Sequence, residues 1–353
     1  MPVMITGTAG VSPVRLLHPD PEAARDDSRL RDAGWTESGR DVLAPPAVFA
    51  VELDSATLRV RGVVAVWDVV DPPASGGLLP HEGTDPRAVR RRVKALRAAH
   101  VDRDPLLLTH RGGGRVAAAV AGLTRPVYEV RERDRHVRVL QVVPEATAGV
   151  LALLGGHEYL VADGHHRLAG AVQLRREGFP AKVTALVVDA DDAPLTLGPI
   201  HRVLLDDQGR DRVPPEMVDA VLDRCRAVGA VVTPDLAPAE GGAAVRLQHA
   251  GRAWTVTWPN HPRTDVTTLV DHVLHDTTRG RTRREPDEGI AAASGRQGAL
   301  AVLLPPPDLD DVLTMARHGS LMPYKATAFE PKLPSGALVR PLAAWQPTAL
   351  TST

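Results

Sequence analysis

Polar side chains are concentrated in one short stretch near the middle of the chain. Asp163, His165, His166 and Arg167 can carry protons, metal or phosphate, and they lie between an apolar segment and an Ala-rich one. The apolar segment is typical of a strand, and Gly164 lets the backbone turn tightly where a helix is expected to begin. Because unpaired N–H groups and the helix dipole attract anions, and Arg167 adds a fork of donors, the stretch predicts a phosphate-binding site. An Asp N-cap followed by solvent-facing histidines is the alternative.

A second polar cluster lies upstream, on a loop expected to precede a basic helix. His81 and Glu82 place an imidazole beside a carboxylate, which suits a general base or half of a metal site. The pair is not part of a His-Glu-x-x-His zinc helix, because position 85 is Asp. Thr84 or Asp85 also fits the N-cap of the following helix, so a structural interpretation stays open.

Two further places could supply cations to an anion site. Arg202 follows His201 at the end of an expected strand, where a surface pair is the alternative interpretation. Lysine is rare in this chain and occurs only at Lys94, Lys182, Lys325 and Lys332. The last two lie with Thr327 in a proline-punctuated stretch that predicts a strand pair. This stretch could present a lysine to phosphate, or it could be an edge strand protected by Lys and Pro.

The elements expected to position these side chains alternate between strands and helices from about Ala47 to Asp192. The alternation predicts an α/β fold, with α+β as the alternative. A hairpin is expected over 48–67, and further helices and a second hairpin downstream indicate a second lobe. We therefore expect an N-terminal arm over 1–45, a catalytic domain over 46–192, a second α+β lobe over 193–345 and a tail over 346–353.

Composition narrows the function classes. The 353 residues are 43% apolar and 24% charged, which is ordinary for a globular protein with a sizeable core. A net charge of -1 makes nucleic acid an unlikely partner, although a basic strip at 87–97 leaves that alternative open. The single cysteine, Cys225, excludes an internal disulfide and a Cys-based zinc site. Without a signal peptide or a membrane-spanning run, we expect a cytoplasmic protein with no membrane partner.

Four motifs, in order, make the chain similar to the domain-of-unknown-function 1015 family. They are Pro80-His-Glu-Gly-Thr84, the segment from Leu96 to Asp104-Pro-Leu-Leu-Leu108, Val161-Ala-Asp-Gly-His-His-Arg167, and Met322-Pro-Tyr-Lys-Ala-Thr-Ala-Phe-Glu-Pro-Lys332. The resemblance covers roughly Ala47 to Leu342. The chain departs from the family near its N-terminus, where a Pro-Pro-Tyr-Asp-like stretch is missing.

The Asp-Gly-x-x-Arg core resembles, more distantly, the ParB/sulfiredoxin-like proteins, a group that includes nucleotide-dependent kinases of free serine. This resemblance implies a catalytic core at a cleft between two lobes, with ATP or ADP and Mg²⁺ as cofactors. Carried over by motif, Glu82 would be the base on the substrate hydroxyl, and Asp163 would assist it or bind Mg²⁺. His165, His166 and Arg167 would bind the transferred phosphoryl group.

Phosphoryl transfer needs mainly positioning, positive charge and a base at the attacking hydroxyl, and Glu82, Arg167 and Lys325 can supply them. We therefore expect a small-molecule kinase that acts on a hydroxyl, with free serine or a similar amino acid as the natural acceptor. The alternatives are a metal-dependent hydrolase or phosphatase, and a ParB-like nucleotide- or nucleic-acid-binding protein. The remaining residues expected to bind phosphate or nucleotide are His81, Thr84, Gly164, Arg202 and Thr327.

Overall fold

A computed structural model describes residues 10–16, 46–55, 58–98, 101–132, 135–179, 181–192, 195–234, 244–277 and 281–342. The chain forms two compact units. Unit 1 comprises Met1–Pro80, Thr84–Leu195 and Phe329–Thr353, and unit 2 comprises His81–Gly83 and Thr196–Ala328. Apart from residues 10–16, the predicted arm over 1–45 lies outside the described residues, as does the tail over 346–353.

Unit 1 is built on a mixed nine-stranded sheet. Its strands are β1 (Val11–Ser12), β2 (Phe49–Asp54), β3 (Arg59–Asp68), β4 (Leu78–Leu79), β6 (Leu106–His110), β7 (Thr124–Glu132), β8 (Arg135–Val142), β9 (Tyr159–Asp163) and β10 (Lys182–Asp189). The order is β4-β9-β6-β10-β3-β2-β8-β7, and β1 pairs with β3 beside this path. A separate pair joins β5 (Val101–Asp102) to β19 (Arg340–Pro341).

The core of this sheet follows from its Val-rich strands. Val63 to Trp67 are buried without interruption in β3, where a run of apolar residues can be covered on both faces. β10 pairs parallel with β6 and antiparallel with β3, so the centre of the sheet is mixed. The antiparallel pairing of β2 with β3 confirms the hairpin expected over 48–67.

Four helices complete the described part of unit 1: α1 (Pro86–Ala98), α2 (Arg115–Val120), α3 (Pro144–Gly155) and α4 (His165–Arg176). Val93 and Leu96 of α1 pack with Leu174 of α4 in one small core cluster. Leu168 and Ala171 of α4 join the main core of the sheet. α4 is therefore held by apolar contacts on both sides, which fixes the direction of its first turn.

Unit 2 contains a six-stranded antiparallel sheet of order β13-β15-β14-β17-β12-β16. Its strands are β12 (His201–Leu204), β13 (Val231–Pro234), β14 (Ala244–His249), β15 (Arg252–Thr257), β16 (Thr282–Glu285) and β17 (Leu300–Leu303). The helices are α5 (Pro215–Ala227), α6 (Val266–Thr277), α7 (Glu288–Gln297) and α8 (Leu309–Arg317). α5 and α6 pack in one core cluster with Trp254 and Trp258, whereas Ala291 of α7 packs in another. None of the helices among the described residues is long and apolar enough to span a membrane.

The predicted α/β fold class is confirmed by the mixed sheet and its helices. The expected strand pair in the C-terminal stretch is wrong, because its two strands have different partners. β18 (Thr327–Glu330) pairs with β11 (Thr196–Pro199), and β19 pairs with β5. The division of the chain also differs from the expected lobes, since His81–Gly83 belongs to unit 2 and the chain from Phe329 onward belongs to unit 1.

Candidate functional site

A glycine turn joins the end of β9 to the start of α4 in unit 1. Gly164 is the N-cap of α4 and has a φ of 107°, in the left-handed region. A Cβ at this position would lie 2.6 Å from Leu106 Cδ2 and 2.9 Å from Arg167 Nε. Both the backbone conformation and the available space therefore require glycine here. No side chain caps α4, so the alternative of Asp163 as its N-cap is wrong.

The carboxylate of Asp163 is bonded instead to the guanidinium of Arg167, in an i,i+4 ion pair across the first turn of the helix. Arg167 also donates to the carbonyl oxygen of Pro105, which fixes the orientation of its planar group. The side chain of Asp163 is 37% exposed and that of Arg167 is 19% exposed. The pair is thus oriented by the protein and still accessible from solvent.

The two histidines of the motif have different environments. His165 is buried, and burial lowers its pKa to about 4, outweighing the opposite effect of Asp163. It is therefore neutral near neutral pH. His166 Nε2 accepts the backbone N–H of Asp85 at 3.0 Å, which assigns the proton of a neutral ring to Nδ1. The positive charge at this helix N-terminus comes from Arg167, and the alternative of solvent-facing histidines is wrong for His165.

An open pocket of about 370 Å³ lies beside this ion pair in unit 1. Its volume is within the range of small-molecule sites, ~300–1,000 Å³. Its apolar wall includes Leu106 and Leu107, and its polar lining comes from Arg92, Asp104, Asp163, Arg167, Lys332 and Ser335. Lys332 Nζ lies 3.9 Å from Asp163 Oδ1. The pocket therefore combines cations and carboxylates next to the start of α4.

Sequence reasoning did not select Arg92, Asp104, Lys332 or Ser335 for this site. The rarity of lysine was a usable signal for Lys332. Nothing local marks Arg92, because its ion pairs with Asp102 at 3.2 Å and with Asp104 at 3.5 Å depend on the packing of α1. Ser335 lines the pocket, and its hydroxyl donates to Asp104 Oδ1 at 2.7 Å.

Glu82 belongs to unit 2, where its carboxylate binds the backbone of the C-terminal stretch. Oε1 accepts the N–H groups of Ala326 and Thr327 at 3.0 and 2.7 Å, and Oε2 accepts that of Lys325 at 3.1 Å. The side chain is buried, and desolvation raises its pKa above the ordinary value although these bonds act in the opposite direction. Glu82 thus has a clear structural role, together with the raised pKa that suits a general base.

A chain of hydrogen bonds connects His81 to Glu82 through Thr327. Thr327 Oγ1 donates to Glu82 Oε1 at 2.6 Å and lies 2.8 Å from His81 Nε2. Because Thr327 donates its hydroxyl proton to the carboxylate, Nε2 of His81 must be the donor to Oγ1. All three side chains are buried. The structure therefore brings together His81, Glu82 and Thr327, as a polar cluster within unit 2.

Arg202 and Lys325 also lie in unit 2. The guanidinium of Arg202 is fully buried and pairs with both oxygens of Asp271, at 2.7 and 3.0 Å. It also donates to the carbonyl oxygens of Ile200 and Lys325. These bonds favour a structural role for Arg202, whose phosphate-binding role stays a prediction. Lys325 is exposed, with its Nζ 5.5 Å from the centre of the Tyr324 ring.

The predicted helix start at Thr84 and Asp85 is present at α1 in unit 1. Asp85 Oδ1 accepts the N–H of Arg87 at 2.8 Å, which is the bond of an N-cap residue. The capping interpretation is therefore confirmed for Asp85. The expectation that Thr84 binds phosphate stays a prediction.

The described residues also bear on metal binding. They contain no group of three or more His, Cys, Asp or Glu side chains arranged to hold a metal ion. This gives no support to the hydrolase alternative, which needs such a set. Mg²⁺ needs fewer protein ligands, since one or two carboxylates with substrate phosphates and water suffice. Asp163 fits that requirement, because Arg167 bonds its Oδ2 and leaves Oδ1 without a hydrogen bond from Arg167.

Solved structures give several distant matches to this fold. A mutant of a free serine kinase in complex with AMP has 15% identity and a TM-score of 0.49, covering 76% of this chain and 89% of that one. A conserved hypothetical protein from Pyrococcus furiosus has 17% identity and a TM-score of 0.45, covering 75% and 92%. SbnI with C-terminal truncation from Staphylococcus aureus has 12% identity and a TM-score of 0.46, covering 75% and 84%. No curated protein matches this chain.

The fold defines an α/β protein of two compact units. The model of the family described as protein of unknown function (DUF1015) matches residues 35–272, which is more than half of the chain. The chain therefore belongs to the DUF1015 family, as its ordered motifs indicated. The C-terminal motif with Lys325 and Lys332 lies beyond the matched residues.

Proposed function

We propose that this protein is a nucleotide-dependent kinase that transfers a phosphoryl group to the hydroxyl of a small molecule, with free serine or a similar amino acid as the acceptor. The observation that carries the proposal is the accessible Asp163–Arg167 pair at the N-terminus of α4, beside a pocket of small-molecule size. ATP or ADP is the proposed donor. Nucleotide phosphates are the ligands that such a site suits best.

The start of α4 has the physical requirements of a phosphate site. No side chain caps the first turn of α4, so the positive end of the helix dipole is not covered by a capping carboxylate or hydroxyl. Arg167 adds a guanidinium whose position is set by Asp163 and the Pro105 carbonyl. Neutral His165 and His166 can hydrogen-bond to phosphate without carrying charge. When bound, Mg²⁺ would neutralise charge on the phosphates, with Asp163 as its protein ligand.

Glu82 is the proposed base on the acceptor hydroxyl. Its burial supports this role, because a carboxylate with a raised pKa takes up a proton more readily. Oε2 accepts only one hydrogen bond from the described residues, that of the Lys325 N–H, and so retains capacity for a further proton donor. His81 and Thr327 orient the other oxygen through the hydrogen-bond chain of unit 2.

The direct test is a thermal-shift measurement with Mg-ATP and Mg-ADP, followed by a phosphoryl-transfer assay over free amino acids and small alcohols. We expect a shift with at least one nucleotide and a phosphorylated acceptor. A phosphatase would release inorganic phosphate without an acceptor. Absence of both a shift and transfer would refute the proposal.

Replacing Glu82 with Gln tests the base. General-base catalysis contributes about 10²–10⁴-fold, so kcat should fall by that order while nucleotide binding persists. Glu129→Gln is the matched control, because Glu129 is half exposed and bonded only to surface side chains. Full activity of a folded Glu82→Gln variant would contradict the assignment. Thr327→Val removes the hydroxyl bonds to Glu82 Oε1 and to His81 Nε2 and keeps the carboxylate of Glu82, so it measures how much of any loss is structural.

A further inference from the structure

The two lysines of the C-terminal stretch belong to different units. Lys325 is part of unit 2, where its ammonium lies over the ring of Tyr324. Lys332 is part of unit 1 and lines the pocket beside Arg167. They are only seven positions apart in sequence, so the local sequence pattern cannot distinguish their roles.

Lys332 is the pocket cation whose charged group makes no hydrogen bond to the described residues. Among the described residues no side chain or carbonyl accepts a hydrogen bond from its ammonium, and Asp163 Oδ1, at 3.9 Å, is too distant for one. Arg92 is bonded to Asp102, and Arg167 is bonded to Asp163 and to Pro105. A ligand entering the pocket therefore meets uncommitted N–H groups at Lys332.

The backbone that carries Lys332 is fixed although its side chain is 44% exposed. Arg135 donates to the carbonyl oxygen of Lys332 at 3.0 Å, and the N–H of Lys332 donates to Glu330 at 3.1 Å. Further along, the hydroxyl of Tyr128 donates to the carbonyl oxygen of Ala337 at 2.9 Å. These bonds hold the stretch against the sheet, so the ammonium is presented at the pocket from an anchored position.

The pocket lining contains three cationic side chains and two carboxylates, so it has one positive charge in excess. Arg167 already neutralises Asp163, and Arg92 lies 3.5 Å from Asp104, the second pocket carboxylate. The carboxylate nearest to the Lys332 ammonium, at 3.9 Å, is that of Asp163, which Lys332 therefore shares with Arg167. An exposed ammonium next to an oriented guanidinium suits a chain of phosphates, because the arginine binds one group in fixed geometry and the lysine acts as a point charge.

From these contacts we infer that Lys332, and not Lys325, is the lysine that binds the phosphate chain of the nucleotide. The inference rests on the proposed function for the identity of its ligand. It replaces the sequence-based choice of Lys325 with the lysine that shares a pocket with Asp163 and Arg167.

Lysine labelling tests this directly, because the chain contains just Lys94, Lys182, Lys325 and Lys332. Acetylation rates of each are measured by mass spectrometry with no addition, with Mg-ADP and with tripolyphosphate. Chymotryptic cleavage after Phe329 separates Lys325 from Lys332. With probe at ten times its Kd, about a tenth of the protein stays free, so labelling of Lys332 should slow about tenfold. The other three rates should not change.

Variants give a second measurement. Lys332→Gln should raise the Kd or KM for Mg-nucleotide about ten- to a hundredfold, the range for one hydrogen bond to a charged group. Lys332→Arg should recover most of that loss, because the charge is retained. Lys94→Gln is the matched control, since Lys94 is an exposed lysine that does not line the pocket.

The outcomes separate this inference from the proposed function. Slowed labelling of Lys332 by both probes supports the inference, even if no acceptor is phosphorylated and the kinase proposal fails. Slowed labelling of Lys325 alone overturns the inference while leaving the kinase proposal intact. Unchanged labelling of Lys332 in protein that binds nucleotide by thermal shift overturns it in the same way. Absence of any nucleotide or tripolyphosphate binding overturns both.

Discussion

At the residue scale, the two carboxylates marked by the sequence are held in opposite ways. Asp163 is partly exposed and bonded to a guanidinium, so its negative charge is matched. Glu82 is buried and bonded to backbone N–H groups, which stabilise its ionised form less than desolvation destabilises it. A carboxylate is thus paired with a guanidinium in unit 1, whereas in unit 2 a carboxylate is buried and has a raised pKa.

This difference predicts the pH dependence of activity. A base must be deprotonated to act, and the pKa of Glu82 is raised, so kcat/KM should fall on acidification through a value above the ordinary 4.5 of a glutamate. The measurement is a pH–rate profile of the proposed kinase activity for the wild-type protein and for Glu82→Gln. Loss of the acid limb in the residual activity of the variant would support the assignment. An unchanged limb would contradict it.

At the element scale, the β9–Gly164–α4 connection decides where the charged groups lie. β9 ends beside β6, with Asp163 opposite Leu107. Gly164 then turns the chain in a left-handed conformation, and α4 begins at His165. This geometry leaves the helix N-terminus without a capping side chain and brings Arg167 back to Asp163. A single glycine therefore links strand, helix and ion pair.

Gly164→Ala should destabilise unit 1 and disturb Arg167. The cost of a left-handed non-glycine residue is of order 1–3 kcal/mol, and the added Cβ would also clash with Leu106 and Arg167. Gly178→Ala is the matched control, because Gly178 has a φ of 85° and open space around its Cβ position. Denaturant unfolding of the two variants separates the effects. Equal destabilisation would show that crowding at Gly164 is unimportant.

At the scale of the whole molecule, buried histidines occur in both units. His110 and His165 are buried in unit 1 and His201 in unit 2. The ring nitrogens of His110 have no hydrogen-bond partner among the described residues. Desolvation lowers the pKa of all three below the ordinary value of 6.5. Each is therefore a neutral group that the unfolded chain would protonate more readily.

Stability should consequently fall on acidification. Because the folded pKa is the lower one, the contribution of each histidine is fully present above about pH 6.5 and is lost as pH falls below it. For His165 this contribution to the free energy of unfolding decreases down to the folded pKa of about 4. The total decrease is on the order of 3 kcal/mol. The denaturant midpoint, measured between pH 7.5 and 5, should decrease.

His110→Leu should flatten this pH dependence, because it removes a buried titrating group without a hydrogen-bond partner among the described residues. His136→Gln is the matched control, since His136 is partly exposed and pairs with Glu129 at the surface. A midpoint independent of pH in the wild-type protein would contradict the prediction.

Several features follow from the sequence alone because they depend on local patterns. The hairpin of β2 and β3 follows from alternating apolar residues around a turn, and the N-cap at Asp85 from a polar residue before a basic helix. The turn at Gly164 follows from a glycine between an apolar run and an Ala-rich one. Membership of the DUF1015 family follows from the order of the motifs.

Only the tertiary structure decided which residues share a unit. Strand pairing across long sequence distances placed β18 with β11 and β19 with β5, and so separated Lys325 from Lys332. The burial of Arg202 against Asp271 and the hydrogen bonds that Glu82 accepts from the backbone at 325–327 depend on the same long-range packing. Sequence marks which side chains can do chemistry, whereas desolvation and partners, which are properties of the folded chain, decide which of them are available for it.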